Sequence, residues 1–245
     1  MASEYRHAVE QIIEQAQRAR VLRICNVGYD LVSSQKAVNA SIKHQGVWAA
    51  VGIHPNEVAK HQLSDLATIK KLAMLPQVVA IGEIGLDLYH HPEQLALQQR
   101  WFVKQLHIAR QNNLPVNIHC RDAYQQCYEI LQRQRVQRGI MHCFLGTPAQ
   151  ARQFLLLGFY ISFSGVVTFK NATNLTATIK AVPLNRLLVE TDAPYLAPEP
   201  NRGQINYPQY IRYTLAHIAR VKQVDLEALV RITTKNACAA YQLEI

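Results

Sequence analysis

The sequence predicts an α/β protein of repeated strand–helix units, closed as a TIM-type (β/α)8 barrel whose first strand is absent from these residues. Three observations carry that expectation. Short apolar, β-branched runs alternate with longer amphipathic stretches from end to end, the pattern of parallel βα units. The strand runs are apolar throughout, as in a sheet covered on both faces. A length of 245 residues suits one such barrel better than two domains.

Element by element, the chain opens in a helix, because apolar residues recur at helical spacing from Glu4 to Ala19. Seven strand candidates follow: VLRICNVG (21–28), VWAAVGI (47–53), VVAIGEIG (78–85), PVNIHC (115–120), GIMHCF (139–144), FYISFSG (159–165) and RLLVETD (186–192). Helical stretches separate them, such as EQLALQQRWFVKQLHIARQNN (93–113), with an apolar face at i, i+3, i+4 spacing. A closed barrel of this kind has eight strands, so a further strand of about five residues would lie upstream of Met1. An open seven-stranded sheet is the alternative, and the repetition of single βα units favours the barrel. The 10 Gly and 10 Pro are scattered, marking no linker. One domain over 1–245 is expected.

A formal net charge of +9 favours polyanionic partners such as nucleic acid, although the Lys and Arg residues are dispersed. No apolar run approaches the roughly 20 residues of a membrane span, and MASEYRHAVEQIIEQAQRAR lacks a signal peptide's apolar core. A cytoplasmic protein without membrane association is expected. The five cysteines, Cys25, Cys120, Cys127, Cys143 and Cys238, form no CxxC pair and read as reduced thiols with no disulfide partner. Cys120 and Cys143 each follow a histidine, yet burial as small apolar side chains is the expectation.

In a parallel barrel the chemistry gathers at the carboxyl ends of the strands. Those ends hold His54 after VGI, Glu83 in IGEIGLD, His119 in NIHCRD, His142 in MHCF, and Glu190 with Asp192 in VETDAPY. Each alone would read as a hydrogen-bonded core residue. On different strands that share one mouth they are hard to explain as core filling, because an unpartnered buried carboxylate costs several kcal/mol. Imidazoles and carboxylates together suit Zn, Mn or Mg, and such ions can activate water and neutralise a phosphodiester. There is no GxSxG and no CGxC-like context for a covalent nucleophile. The absence of GxGxxG and GxxxxGK[ST] disfavours nucleotide cofactors.

The runs AAVGIHP, AIGEIGLD, LPVNIHCRDA, HCFLG, LGFYISFSG, LLVETDAPYLAP and NRGQINYP, in this order, resemble the TatD family of metal-dependent hydrolases, which are amidohydrolase-like barrels. The resemblance spans essentially the whole chain from Glu4, and GEIGLD together with ETDAPY makes it specific. It implies a deoxyribonuclease that trims DNA 3′ to 5′ with metal-activated water, with two divalent ions (Mg, Mn or Zn) in an intact site. It implies Glu83 as a bridging ligand and catalytic group, and His119 and His142 as ligands of one metal. Asp192 would ligate the other metal and orient or deprotonate the attacking water.

The resemblance further makes His54 a substrate contact beside the metals. Arg121 would meet phosphate or support the ligands, or else be a surface cation starting a helix. Arg202 and Asn206, after the last strand, would meet substrate or pin their loop. Glu190 alternates with Asp192 along the strand, faces the same side, and would orient a ligand histidine. Asp87 would do likewise or cap the turn after GLD, whereas His90 and His91 read as solvated loop residues.

Family members begin with a strand carrying His-x-His, which supplies two ligands. No such pair occurs here; His7 lies in the first helical stretch with no histidine two residues away. The absent strand and the absent half-site coincide. The sequence then reads as a shortened form of a longer enzyme, a one-metal relative using Glu83, His119 and His142, or a catalytically impaired nucleic-acid-binding relative. A small-molecule amidase or phosphoesterase is the other enzymatic alternative, since such barrels share metal chemistry and differ in loops. Leu145 and Cys120 replace small hydroxyl residues common in the family without removing a ligand.

Overall fold

A computed structural model describes residues 8–244 of the chain. Seven strands, β1 (Ile24–Val27), β2 (Val47–Val51), β3 (Val78–Asp87), β4 (Val116–Arg121), β5 (Gly139–Met141), β6 (Tyr160–Phe163) and β7 (Leu187–Val189), occupy the positions expected from the apolar runs. They alternate with helices α1 (Val9–Arg18), α2 (Leu31–Lys43), α3 (Leu66–Leu72), α4 (Leu95–Gln111), α5 (Tyr124–Arg133), α6 (Pro148–Leu156), α7 (Leu175–Ala181), α8 (Ile211–Lys222) and α9 (Leu226–Tyr241). Among the described residues no strand precedes β1. The expected helix over Glu4–Ala19 begins at Val9, and Glu4 and His7 lie outside the described residues. Two compact units emerge, one spanning Arg23–His142 and one holding α1 with Cys143–Ala239.

In the first unit β1 to β5 hydrogen-bond in chain order, all parallel. The ten residues of β3 are buried except one, Glu83. Between Ile81 and Ile84 the register against β4 shifts, so three steps on β3 face two on β4 from Val116 to Ile118. Such a bulge re-aims a side chain, and bulges collect beside active sites. Here the displaced residues are Gly82 and Glu83. A Cβ at Gly82 would fall 2.5 Å from the Asn117 Cβ, so only glycine lets the bulge lie this close to β4.

Helix α4 packs Trp101, Phe102, Leu106 and Ala109 inward. The same buried face carries two glutamines seven residues apart, Gln98 and Gln105. Gln105 Oε1 accepts from Ile53 N at 2.7 Å and its Nε2 donates to Ile53 O at 2.9 Å. Gln98 treats Asp87 identically, at 2.8 and 2.9 Å. Each amide pairs with a strand end as a neighbouring peptide would, satisfying buried backbone groups and fixing the chain just before His54 and at Asp87. Helix α2 starts on a capping box, Asp30 Oδ1 accepting from Ser33 N at 2.7 Å.

In the second unit β6 and β7 are parallel, with Ile161 opposite Leu187. Asn236 of α9 donates to the Leu184 and Leu187 carbonyls at 2.7 and 2.8 Å, tethering the start of β7. Thr147 caps α6, whose first residue is Pro148. None of the five cysteines forms a disulfide: Cys120, Cys127 and Cys238 are buried, and Cys25 and Cys143 half-buried. Burial, with the neighbouring Cys127 thiol, pushes the Cys120 thiol well above its usual range, which leaves it inert. No helix of the described residues is long and apolar enough to cross a membrane.

Candidate active site

Four of the expected residues meet at the carboxyl ends of β2 to β5. Backbone bonds aim the loops that carry them. His54 N donates to Tyr29 O at 2.8 Å, Glu83 N to Gly28 O at 2.8 Å, and His142 N to Ile118 O at 3.0 Å. Glu83 Oε1 is the hub. It lies 2.9 Å from His119 Nδ1, 3.5 Å from His142 Nε2 and 3.7 Å from His54 Nε2. All four side chains are between 11% and 19% exposed, dry enough to strengthen electrostatics yet reachable by a ligand.

Charge follows from these contacts. Burial opposes ionisation of Glu83, but the imidazoles of His142, His119 and His54 outweigh it and hold the carboxyl below the usual carboxylate range. Burial, and then the neighbouring His119, lower His54 to about 3, so it is neutral near pH 7. Its Nδ1 accepts from Asn56 N at 3.1 Å, which leaves the proton on Nε2. His54 therefore faces Glu83 as a donor. For His119 burial is overcome by Asp87 and Glu83, on either side of the ring, and the pKa rises.

This donor set suits a divalent cation. The ligand atoms of His54, Glu83 and His119 lie within 4.8 Å of one another, and the His54 tautomer excludes that ring as a ligand. Glu83 Oε1 lies 2.9 and 3.5 Å from His119 Nδ1 and His142 Nε2, and one carboxylate with two imidazoles is a donor set that would hold a divalent ion.

Asp87 closes β3 and is wholly buried. Its Oδ1 accepts from Tyr89 N and His90 N at 3.0 and 2.9 Å, capping the turn after GLD. Its Oδ2 meets Asn56 Nδ2 at 3.2 Å, His90 Nδ1 at 2.9 Å and His119 Nε2 at 3.0 Å. The two roles weighed for Asp87 are thus divided between its oxygens. His90, expected as a plain solvated residue, is drawn in by Asp87; His91 is not, and pairs with Glu93 at 3.2 Å. Arg121 ends β4 instead of starting a helix, and its guanidinium lies 4.1 Å over the ring of Tyr89.

In the second unit β7 stops at Val189, so Glu190 and Asp192 are not the alternating strand positions the sequence suggested. The backbone turns out of the ladder, reaching φ 57° at Asp192. Glu190 Oε1 accepts from Cys143 N at 2.6 Å and its Oε2 from Ser162 Oγ at 2.7 Å. It thereby braces the backbone just after His142 at Cys143, itself at φ 41°. Asn206, wholly buried, donates to the carbonyls of Thr191 and Tyr195 at 2.6 and 2.7 Å. Of the two roles open to it, these bonds show the pinning of the loop around Asp192. Arg202 stacks on Phe169, 4.3 Å from the ring centroid. Sequence reasoning missed Asn56, Ser162, Gln98 and Gln105; of these, Asn56, two residues past His54, and Ser162, inside LGFYISFSG, stood close enough to a motif to be suspected.

The TatD related DNase family matches this chain over residues 1–242. The chain belongs to the TatD family. It is a metal-dependent hydrolase of that family, similar to the metal-dependent hydrolase YabD of Bacillus subtilis (strain 168), with 38% identity over 244 residues, 99% of this chain and 96% of that protein. The metal-dependent hydrolase YcfH of Escherichia coli (strain K12) is 42% identical over 195 residues, 79% of this chain and 73% of YcfH. Among solved structures, the TatD homologue YJJV from Escherichia coli K12 superposes with a TM-score of 0.92 at 28% identity, covering 96% of this chain and 92% of YJJV. A TatD-family hydrolase from Entamoeba histolytica, 20% identical, shares the fold with a TM-score of 0.83, covering 97% and 92%. The barrel-type α/β fold expected from the sequence is the fold of this TatD protein.

Proposed function

We propose that this TatD protein hydrolyses phosphodiester bonds of DNA, trimming single strands from the 3′ end. The observation that carries the reading is Glu83 Oε1 set between His119 Nδ1 and His142 Nε2 with His54 Nε2–H alongside. A divalent ion held by Glu83, His119 and His142 would supply Lewis-acid activation of water and neutralise the phosphate's charge. His54, neutral and fixed as a donor, offers its Nε2–H to an anionic phosphate oxygen. Asp192 is assigned, by the family resemblance, to orient the attacking water and take its proton. Tyr89, 59% exposed, with Arg121 on its ring, offers a base a stacking surface and a phosphate a positive charge. The net charge of +9 favours a polyanion. Nuclease family membership favours DNA over a small-molecule ester or amide, which the metal chemistry alone would also admit.

The test is a competition among a 5′-labelled single-stranded oligonucleotide, bis-p-nitrophenyl phosphate and a simple amide, using chelator-stripped protein with and without added Mn, Mg or Zn. Stepwise shortening of the oligonucleotide, abolished by chelator and restored by metal, is expected. Faster turnover of the amide would overturn the reading. So would salt-sensitive DNA binding without cleavage at any metal, which is the signature of a catalytically silent nucleic-acid-binding relative.

A further inference from the structure

In the first unit, at the end away from the candidate active site, a recess of about 200 Å³ opens between the C-termini of α4 and α5 and the starts of β4 and β5. We propose that it binds a small organophosphate, with a single ring in the recess and the phosphate on Arg110, Arg135 and Arg138. The recess shares no residue with the Glu83 cluster, which lies toward the other ends of the strands, so the proposal stands apart from the nuclease reading.

Two helix ends that close in the same way build the recess. Beyond α4 comes Asn113 at φ 55°, and beyond α5 comes Arg135 at φ 55°. Each left-handed residue folds the next one back onto its helix. Leu114 N donates to Ala109 O at 2.9 Å, and Val136 N to Leu131 O at 3.0 Å. Leu114 and Val136 are half-buried and line the recess together with buried Leu106 and Val116. A cavity of about 150 Å³ admits benzene, so this apolar lining suits one six-membered ring.

The polar lining is rich in donors. Arg110, Arg135 and Arg138 are exposed at the recess, and no Asp or Glu of the described residues lines it. Among the described residues the Arg110 and Arg135 guanidiniums make no ion pair or hydrogen bond. Arg138 is held in place, its Nη2 donating to both oxygens of Asn113. Gln134 Oε1 can only accept, so His107 Nε2 donates to it at 3.0 Å. The Gln134 N–H₂ is left as a further donor.

Helix C-termini recruit cations, but the charge here exceeds that need. Two helix ends carry about half a negative charge each, and the turns at Asn113 and Arg135 already occupy carbonyls of both. Three guanidiniums therefore leave roughly two positive charges unmatched. A phosphate monoester brings about −1.5 to −2 and accepts paired N–H donors from arginine. A carboxylate brings a single negative charge and matches the recess less well.

The test is a titration of the ¹⁵N-labelled full chain with phenylphosphonate, whose P–C bond resists hydrolysis, followed by NMR. Saturable shifts at the Leu114 and Val136 amides are expected. Inorganic phosphate, which lacks the ring, and benzoate, which lacks the second charge, should each bind at least about 10-fold more weakly. In Arg110→Gln/Arg135→Asn, glutamine keeps the helix and asparagine tolerates the left-handed position. Affinity at these amides is expected to fall about 100-fold in that variant. Wild-type affinity in the folded double variant would overturn the proposal. So would benzoate binding as tightly as phenylphosphonate, or phenylphosphonate shifts that leave Leu114 and Val136 unmoved.

Discussion

Glu83→Ala is expected to remove metal-dependent phosphodiesterase activity, lowering kcat/KM by at least about 10³-fold, the scale of losing one preorganised electrostatic stabiliser. The fold is expected to survive. Glu83 is the one residue of β3 that is not buried, so its side chain serves the site and not the core. Its carboxylate lies against His54, His119 and His142 together. His119 and His142 without it would hold a divalent ion weakly and leave its charge uncompensated. Metal-free, the variant keeps the Asp87 contact to His119, so its far-UV circular dichroism and melting curve should stay close to wild type. Glu83→Gln, which preserves volume and removes charge, is expected to lose activity similarly. Undiminished cleavage by either variant would overturn the mechanism.

Gly85→Ala is expected to have the largest effect on stability, about 4 kcal/mol or more, in the range reserved for strain and steric conflict that cannot relax. Gly85 has φ +147°, and a Cβ there would stand 1.9 Å from the His119 carbonyl oxygen and 2.9 Å from its carbon. Those atoms are backbone of β4, directly paired with Gly85 in the ladder, so relief requires opening the β3–β4 pairing. His119 would be displaced with it, and activity lost as well. Gly203→Ala is the control. Gly203 also has positive φ, +84°, but nothing lies within 4 Å of its added Cβ, so its cost should stay near the roughly 1 kcal/mol of left-handed strain. Urea denaturation of both variants checks the contrast; equal stabilities would contradict it.

The strands and the gathering of the site were legible in the sequence for the same reason. Apolar β-branched runs mark covered parallel strands, and His54, Glu83, His119 and His142 lie in or just after four consecutive ones. The strand tips were not legible. β5 and β7 stop at Met141 and Val189 because the backbone turns left-handed soon after, at Cys143 and Asp192, and hydropathy carries no record of that. The alternation expected for Glu190 and Asp192 failed there, and Glu190 braces Cys143 N and Ser162. The bulge at Gly82–Glu83 is likewise a matter of pairing between strands, visible only once β4 is in place. Gln98 and Gln105 were hidden because polar residues on an amphipathic helix are read as its wet face. Both are buried here because strand ends at Asp87 and Ile53 need partners.

The most direct test of the metal site is diffraction from wild-type crystals soaked in manganese or zinc, recorded at the absorption edge of the soaked metal. An anomalous peak bonded to Glu83, to His119 through Nδ1 and to His142 through Nε2, at about 2.0–2.2 Å, is the predicted result. A peak held by other residues, or none at this position under saturating metal, would contradict the account.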